Sequence, residues 1–516
     1  MDTIAVLDFG SQTAQLIGRR IRECGVYAEI LSGTDPIPEH LIDQVKGVVL
    51  SGSPSSVHED GSPRVHPSVL SLGVPVLGIC YGLQQIVHEA GGRVSRAERR
   101  EYGRSRLQLH QEHALFNGVP DGFVSWMSHG DSLAELPQGF VMLAESEHGL
   151  PAAVRNAESS IVGIQFHPEV SHCEYGTHIL RNFAVDICHA AQAWSMEQYV
   201  DTARETIRTT AGSESVLVLI SGGVDSTVVA ALILSALPGS QVHLMYVDTG
   251  LMRAGETEEV TKTLEQLGAE HIHVIDAQDR FYAELAGKPD PEEKRRIIGD
   301  LFISIQQEEL AKRQIGEGFL AQGTLYTDMI ESGKGVGTYA KVIKSHHNVR
   351  SPLVQKKRDE GLLIEPLSWL YKDEVRELGR VLGLPEHVVG RHPFPGPGLA
   401  VRILGAVSPE RVRVLQAADR IYIDELRKRR LYDEIWQAFC VLLPVSSVGV
   451  AGDDRAYGGV VALRAVVSVD GMTADVYPFE SRDILEISAR ITNEVPEVGR
   501  VVYDVSSKPP ATIEWE

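Results

Sequence analysis

Ser215-Val-Leu-Val-Leu-Ile-Ser-Gly-Gly-Val-Asp-Ser-Thr-Val-Val-Ala-Ala-Leu232 is the stretch whose reading decides the fold. Val216 to Ile220 is an apolar run rich in branched side chains, the pattern of a strand buried on both faces in a parallel sheet. Ser221 to Ser226 form a tight turn, and Thr227 to Leu237 reads as a helix. A glycine turn feeding a helix start leaves backbone N–H groups unpaired beside the positive end of the helix dipole, which makes an anion site. No Gly-Lys-Ser/Thr follows the glycines, so the turn is not the common phosphate loop.

The same strand-and-helix alternation surrounds this stretch. Val242 to Val247 is a strand ending in Asp248-Thr249-Gly250, Thr257 to Leu267 a helix, and His271 to Ile275 a further strand. A doubly wound parallel sheet follows, with a nucleotide at its carboxyl edge and adenine near Val247 and Leu251. The hexapeptide Ser221, Gly222, Gly223, Val224, Asp225 and Ser226 resembles the pyrophosphate loop of the ATP pyrophosphatases. That family cleaves ATP between its α and β phosphates.

A second sheet of the same kind precedes it. Ile4 to Leu7, Val26 to Leu31, Gly47 to Leu50 and Val74 to Ile79 read as strands, with helices reaching to about Cys24 and from Cys80 to about Ala90. From 93 to 166 shorter strands and turns suggest an antiparallel extension. Cys80 sits in Gly78-Ile79-Cys80-Tyr81-Gly82, a nucleophile flanked by glycines on a sharp strand-to-helix turn. The helix start favours thiolate. The N–H groups of Tyr81 and Gly52 are the expected oxyanion donors. Gly163-Ile164-Gln165-Phe166-His167-Pro168-Glu169 supplies a base. Pro168 biases His167 toward extended backbone, so Glu169 shares its face and orients the imidazole.

On these motifs, residues 1–190 are identified as resembling the class I glutamine amidotransferases, with Cys80, His167 and Glu169 as the implied triad. The Ser51-Gly52-Ser53-Pro54 turn matches that family's oxyanion strand. The implied chemistry is attack on the glutamine side-chain carbonyl, release of ammonia, and hydrolysis of a thioester.

The totals agree with a multidomain enzyme. The chain has 516 residues, 43% hydrophobic and 23% charged, too many for one core. Seventy acidic against 49 basic side chains give a formal charge of −21, which excludes nonspecific binding to nucleic acid or an anionic membrane. Five cysteines without CxxC spacing point to neither disulfides nor zinc, and to a reducing cytoplasm. No apolar run is long enough to span a bilayer, and no basic leader precedes the first strand.

Beyond the second sheet, Lys294-Arg295-Arg296 opens a helix, and Asp328 and Glu331 lie three apart in Gln322 to Ser332. Two such carboxylates are candidate magnesium ligands or substrate contacts. Lys344-Ser345-His346-His347-Asn348 concentrates a cation and two imidazoles, and Lys372 precedes another helix, where a cation would neutralise departing pyrophosphate. His392-Pro393-Phe394-Pro395-Gly396-Pro397-Gly398 marks a boundary. About 120 residues of mixed helix and strand follow it.

Together these features resemble the glutamine-hydrolysing GMP synthetase family across essentially the whole chain. The implied architecture is α/β: a class I amidotransferase domain (1–190), an ATP pyrophosphatase domain (191–395), both doubly wound, and a small α+β C-terminal domain (396–516). The implied reaction adenylates xanthosine monophosphate with ATP, then displaces AMP with ammonia from glutamine to give GMP. By the same resemblance Ser221 to Ser226 hold pyrophosphate, and Arg295, Asp328, Glu331, Lys344, His346, His347, Asn348 and Lys372 surround substrate. Asp225 and Asp328 are the implied Mg2+ ligands. Lys508, Ile513 and Glu514 of the C-terminal tail reach the nucleotide monophosphate, and the C-terminal domain forms a homodimer. Thr327 stands where that family usually has proline. Two other readings stay open: a different ATP pyrophosphatase amidotransferase, and a nucleotide-binding regulator carrying a decayed glutaminase.

Overall fold

A computed structural model describes residues 1–11, 13–158, 160–315, 317–331, 352–451, 454–468 and 473–516. The contacts divide the chain into two compact units. One is Met1–Tyr199 with the described residues of Tyr326–His346; the other is Val200–Leu325 with the described residues of His347–Glu516.

The first unit is built on a nine-stranded sheet. Its parallel half runs Tyr27–Ser32, Thr3–Asp8, Val45–Leu50, Val76–Ile79, Ile161–Ile164 in spatial order. This is the 2-1-3-4-5 order of a doubly wound sheet, whose ligands bind beyond the strands' carboxyl ends. The apolar runs form strands because both faces are covered: Ala5, Leu7, Val48 and Leu50 are buried in one core with Leu83, Ile86 and Val87 of the Tyr81–Glu89 helix.

The antiparallel half continues through Pro151–Asn156, Phe140–Ser146, Arg93–Leu109 and Val124–Glu135. Short strands were expected here, but Arg93–Leu109 has 17 residues. A shift in pairing register between Arg96 and Glu101 lets one long strand bend without stopping. The alanine content of the sequence between 186 and 196 favours a helix. Instead a helical turn ends at Ile187, and the next α-helix starts at Met196. Tertiary contacts override its alanine content: Ala191 N–H donates to Asp2, Gln192 Nε2 to the Cys24 carbonyl, and Trp194 N–H to the Gly25 carbonyl.

The second unit contains a five-stranded all-parallel sheet, ordered His271–Asp276, Val242–Asp248, Val216–Ile220, Phe319–Ala321, Leu363–Ile364. Its strand order reverses at Val216–Ile220, which places a switch point beside Ser221. A further sheet pairs Gln437–Ala451 with Asp454–Val467 antiparallel, and Val498–Tyr503 with Asp454–Val467 parallel. The Gln437–Ala451 strand was not anticipated from sequence. One apolar core joins the two sheets of this unit, from Leu217 and Met245 through Leu399 and Leu415 to Leu463 and Ile487.

His392 sits in that core. Its ring stacks on Tyr432 with centroids 3.8 Å apart. Its Nδ1 accepts the Ala438 N–H at 3.1 Å, so the proton lies on Nε2, which faces the Tyr432 carbonyl oxygen at 2.9 Å. Burial is the main cause that pushes its pKa down to about 4. Between pH 6.5 and 4 the unfolded chain takes a proton that the folded chain refuses, so folding stability falls as pH falls through that window. The loss is about 3 kcal/mol. Chemical denaturation at pH 7 and pH 4.5 should show a smaller pH-dependent loss for His392→Asn than for the parent chain. An equal loss in both would contradict the assignment.

Candidate active site

In the first unit three neighbouring parallel strands end side by side, and each delivers one part of a site. Cys80 follows Val76–Ile79 and takes φ 53° and ψ −106°, conformationally costly for a side chain with a β carbon. Its N–H is held by the Ile164 carbonyl at 2.8 Å, and its carbonyl accepts the Gln84 N–H of the following helix at 3.0 Å. The flanking glycines serve clearance: a β carbon on Gly82 would lie 2.4 Å from the Leu50 carbonyl oxygen, and one on Gly78 2.7 Å from the Leu83 nitrogen. The bend is thus carried by Cys80 itself, with the glycines letting the helix seat against the neighbouring strand.

His167 follows Ile161–Ile164, and its Nδ1 lies 2.7 Å from Glu169 Oε1. Glu169 is fully buried. Burial disfavours the imidazolium, but the Glu169 carboxylate and the hydrogen-bonded Cys80 sulfur outweigh it and hold the His167 pKa well above its ordinary value. Gly52 follows Val45–Leu50; a β carbon there would be 3.5 Å from His167 Cε1. Tyr81 is the first residue of its helix, where the N–H has no intrahelical acceptor. The expected nucleophile, base and orienting carboxylate therefore converge beside two backbone segments able to donate to an oxyanion.

In the second unit, the Ser221–Gly223 turn joins Val216–Ile220 to a helix at Val224–Ala236. The helix starts three residues earlier than Thr227, because Gly223 takes the cap position and its carbonyl accepts the Ser226 and Thr227 hydroxyls at 3.1 and 3.0 Å. Val224, Asp225 and Ser226 thus occupy the first turn, where N–H groups lack helical acceptors. Gly222, at φ +78°, turns its carbonyl to Arg391 Nη1 at 2.7 Å. Lys372 Nζ is 2.5 Å from Asp225 Oδ1, and the Arg376 guanidinium also acts on Asp225. Three cations, Lys372, Arg376 and Arg391, thus gather beside a helix N-terminus, a setting that favours an anion. Lys372 begins the Lys372–Val381 helix. Arg391 was missed in sequence because it immediately precedes the proline-rich stretch and reads there as loop.

Val247 and Leu251 are both buried, and the Leu251 carbonyl is occupied by the Leu399 N–H at 2.7 Å. Lys294-Arg295-Arg296 would ordinarily be a solvated triplet on a helix, but it is split. Lys294 is 0% exposed and donates to the Ala400 and Ile403 carbonyls and to Glu516 Oε2. Arg295 Nη2 donates to the Glu516 carbonyl oxygen at 2.6 Å. The C-terminal tail is anchored throughout. Glu514 takes two bonds from buried Arg402, at 2.7 and 3.1 Å, and one from Gln437 at 2.7 Å; Ile513 packs beside Phe439 and Val441. Lys508 exchanges backbone bonds with Ala474. The tail therefore ties Glu516 to Lys294 and Arg295, and Glu514 to Arg402 and Gln437, two residues that isolated positions in sequence did not reveal.

Asp328 and Glu331 lie on the Tyr326–Glu331 helix. Tyr326 Oη accepts the Ile30 N–H at 3.0 Å, and the Arg22 guanidinium lies 5.4 Å from its ring centroid, contacts within the first unit. Lys344, His346, His347 and Asn348 lie outside the described residues. Among the described residues no three His, Cys, Asp or Glu side chains form a ready metal site, and no helix is long and apolar enough to cross a membrane.

The Gly82 contact generates a prediction. Gly82→Ala forces a β carbon against backbone, which costs about 2–3 kcal/mol or displaces the Cys80 turn. Glutamine hydrolysis should fall at least tenfold, read by glutamate release, while ammonium-driven chemistry at the second unit persists. Glutamate release at the parent rate would contradict the packing argument.

Comparison with known proteins finds family models over the stretches of chain that carry both turns. Residues 5–187 match the glutamine amidotransferase class-I model, 195–295 the NAD synthase model, and 424–515 the GMP synthase C terminal domain model. A glutamine-hydrolysing GMP synthase of Aquifex aeolicus is 50% identical over 99% of this chain and 99% of its own length. That of Yarrowia lipolytica is 51% identical over 100% of this chain and 98% of its own. That of Carboxydothermus hydrogenoformans is 49% identical over 99% of each. With half its residues shared along nearly its full length, and a thiol site and a pyrophosphatase-type turn on successive sheets, the chain belongs to the glutamine-hydrolysing GMP synthase family.

Proposed function

We propose that Cys80, His167 and Glu169 release ammonia from glutamine and that the Ser221–Ser226 turn receives the pyrophosphate expelled when ATP activates xanthosine monophosphate. One observation carries the reading: two reactive strand-to-helix turns, one thiol and one anion-binding, stand on the carboxyl edges of two parallel sheets in one chain.

His167 takes the proton of the Cys80 thiol, and the sulfur attacks the glutamine side-chain carbon. The developing oxyanion is met by the N–H groups of Tyr81 and Gly52. Imidazolium returns the proton to the leaving nitrogen, releasing ammonia and a thioester, which water then hydrolyses to glutamate. At the second site the C2 oxygen of xanthosine monophosphate attacks the α phosphorus of ATP. Pyrophosphate leaves toward the amides of Gly223 to Ser226, with Lys372 released from Asp225 to follow the charge. Ammonia then attacks C2, AMP departs with the transferred oxygen, and GMP remains.

Magnesium fits as an ion carried in by ATP. Asp225 would hold the ion from beside the phosphate turn, where it would neutralise phosphate charge. A role for Asp328 toward the ion rests on the family resemblance. Arg295, Lys508, Ile513 and Glu514 are the proposed monophosphate and purine contacts, supported by the tail's attachment to Arg295, Arg402 and Gln437. The division at 190 and 395 rests on the family resemblance and the proline-rich stretch, a cytoplasmic location on the scattered cysteines, a role for Val247 on its place at the sheet edge, and roles for Glu331, Lys344, His346, His347 and Asn348 on the family resemblance. A homodimer through the C-terminal domain is supported by an exposed apolar face, where Val448 pairs across the ladder with Tyr457 and Val450 is 79% exposed. A different amidotransferase of the same nucleotide class is disfavoured because the family match extends through the C-terminal module.

Two variants test the separation of the sites. With ATP, magnesium and xanthosine monophosphate, Cys80→Ala should form no GMP from glutamine but retain GMP formation from ammonium. Asp225→Asn should lose GMP formation from either source by about a hundredfold and still release some glutamate. GMP from glutamine with Cys80→Ala, or none from ammonium in the folded variant, would overturn the reading.

A further inference from the structure

Gln165 is buried in the first unit and absent from the triad just described, yet its side chain reaches the reacting atom. Its Nε2 lies 3.6 Å from Cys80 Sγ, within hydrogen-bonding distance for sulfur. The orientation of that amide is fixed by its neighbours. Gln84 Nε2 donates to the Asp131 backbone carbonyl at 2.9 Å, and a carbonyl can only accept. The same Gln84 Nε2 approaches Gln165 Oε1 at 3.3 Å, so that end of Gln165 is the acceptor. The opposite end, the NH2 group, therefore points at the sulfur. Reversing Gln165 would set two donors against each other in a buried space.

The acceptor that anchors this chain is itself restrained. Asp131 Oδ2 accepts the Ser56 hydroxyl at 2.5 Å, and its carbonyl oxygen also faces His129 Nδ1 at 2.9 Å. Glu101 Oε2 lies 3.2 Å from Nε2 on the far side of the His129 ring. A relay of fixed groups thus runs from the antiparallel strands through Gln84 to Gln165 and ends at the sulfur.

We propose that Gln165 is a catalytic residue of glutamine hydrolysis, donating a neutral hydrogen bond to the Cys80 sulfur that stabilises it as thiolate and aims it at the substrate carbon. The proposal rests on the glutaminase reading of the first unit. A donor without a proton to lose suits this position. His167 must be free to carry a proton between sulfur and leaving nitrogen, whereas the Gln165 amide stays in place throughout. The other ionisable groups around the sulfur are His167 and Glu169 beyond the adjacent strand, and Glu101, His129 and Asp131 on the antiparallel side. None of the last three is within bonding reach of it in the described contacts.

The test uses the full chain and two variants, Gln165→Met, which keeps the volume without a donor, and Gln165→Glu, which keeps the shape. Iodoacetamide inactivation of the glutaminase is followed from pH 5.5 to 9, with kcat and KM for glutamine, the unfolding midpoint, and GMP formation from ammonium. The expected result is an inactivation rate at pH 7 lowered about tenfold and a pH profile displaced upward. The expected kinetic change is a fall in kcat for glutamine hydrolysis with KM changed by less than about threefold. A variant with the parent unfolding midpoint and the parent inactivation profile would overturn the proposal. Loss of the fold in both variants would overturn it too, by making Gln165 a structural residue. If neither the parent chain nor the variants released glutamate while the parent formed GMP from ammonium, the glutaminase reading itself would fail instead.

Discussion

The carboxyl edge of a parallel sheet, where a strand turns abruptly into a helix, is the constraint on which both sites depend. At such an edge the first N–H groups of the helix have no internal partner, so the backbone itself supplies an electropositive concavity. The chain uses this twice. At Cys80 the turn is so sharp that a residue bearing a β carbon takes φ 53°, and neighbouring glycines are needed for the helix to approach the strands. At Ser221–Gly223 the turn is wider, capped by Gly223 and tied by the Ser226 and Thr227 hydroxyls. One turn presents a side chain, the other presents amides. In the proposed reaction the first attacks a carbonyl, and the second receives a leaving anion.

Charge completes each site by different means. Around Cys80 the groups are mostly buried, and one carboxylate, Glu169, sets the state of His167. Around the second turn each cation has an acceptor: Lys372 pairs with Asp225, and Arg391 with the Gly222 carbonyl and the buried Glu256 carboxylate. The C-terminal tail follows a third pattern, in which Lys294, Arg402 and Arg464, all fully buried, bind carboxylates and carbonyls of the last residues. Burying three cations is tolerable only because each finds several acceptors, and removing a partner would leave an uncompensated charge in the core. The tail is for that reason a fixed part of the second unit.

Local sequence carried much of the architecture. Val216–Ile220 reads as a strand at the residues where one forms, since a branched apolar run between a polar helix end and a glycine turn has few alternatives. The elbow around Cys80 and the His-Pro-Glu triplet were legible because their chemistry requires residues close in sequence. What local sequence did not carry were partnerships over long separations. Lys294 looks like part of a solvated triplet until Glu516 arrives from 222 residues away. Arg391 looks like loop until the Gly222 carbonyl comes within 2.7 Å. The Ala-rich passage after Ile187 has helical propensity, but bonds to Asp2, Cys24 and Gly25 draw it out of a helix. Gln165, one position inside a motif that was read for its histidine, gained a role only when the amide orientation of Gln84 was fixed by a backbone carbonyl.

The central claim is that the second turn serves cleavage of ATP between its α and β phosphates, with the purine oxygen as nucleophile. Isotope transfer tests this directly. Xanthosine monophosphate carrying 18O at C2 is converted in the presence of ATP and ammonium, and the products are weighed by mass spectrometry. The account predicts that the label appears in the phosphate of AMP, with pyrophosphate and bulk phosphate unlabelled. Label in pyrophosphate, or formation of ADP and labelled inorganic phosphate, would contradict it.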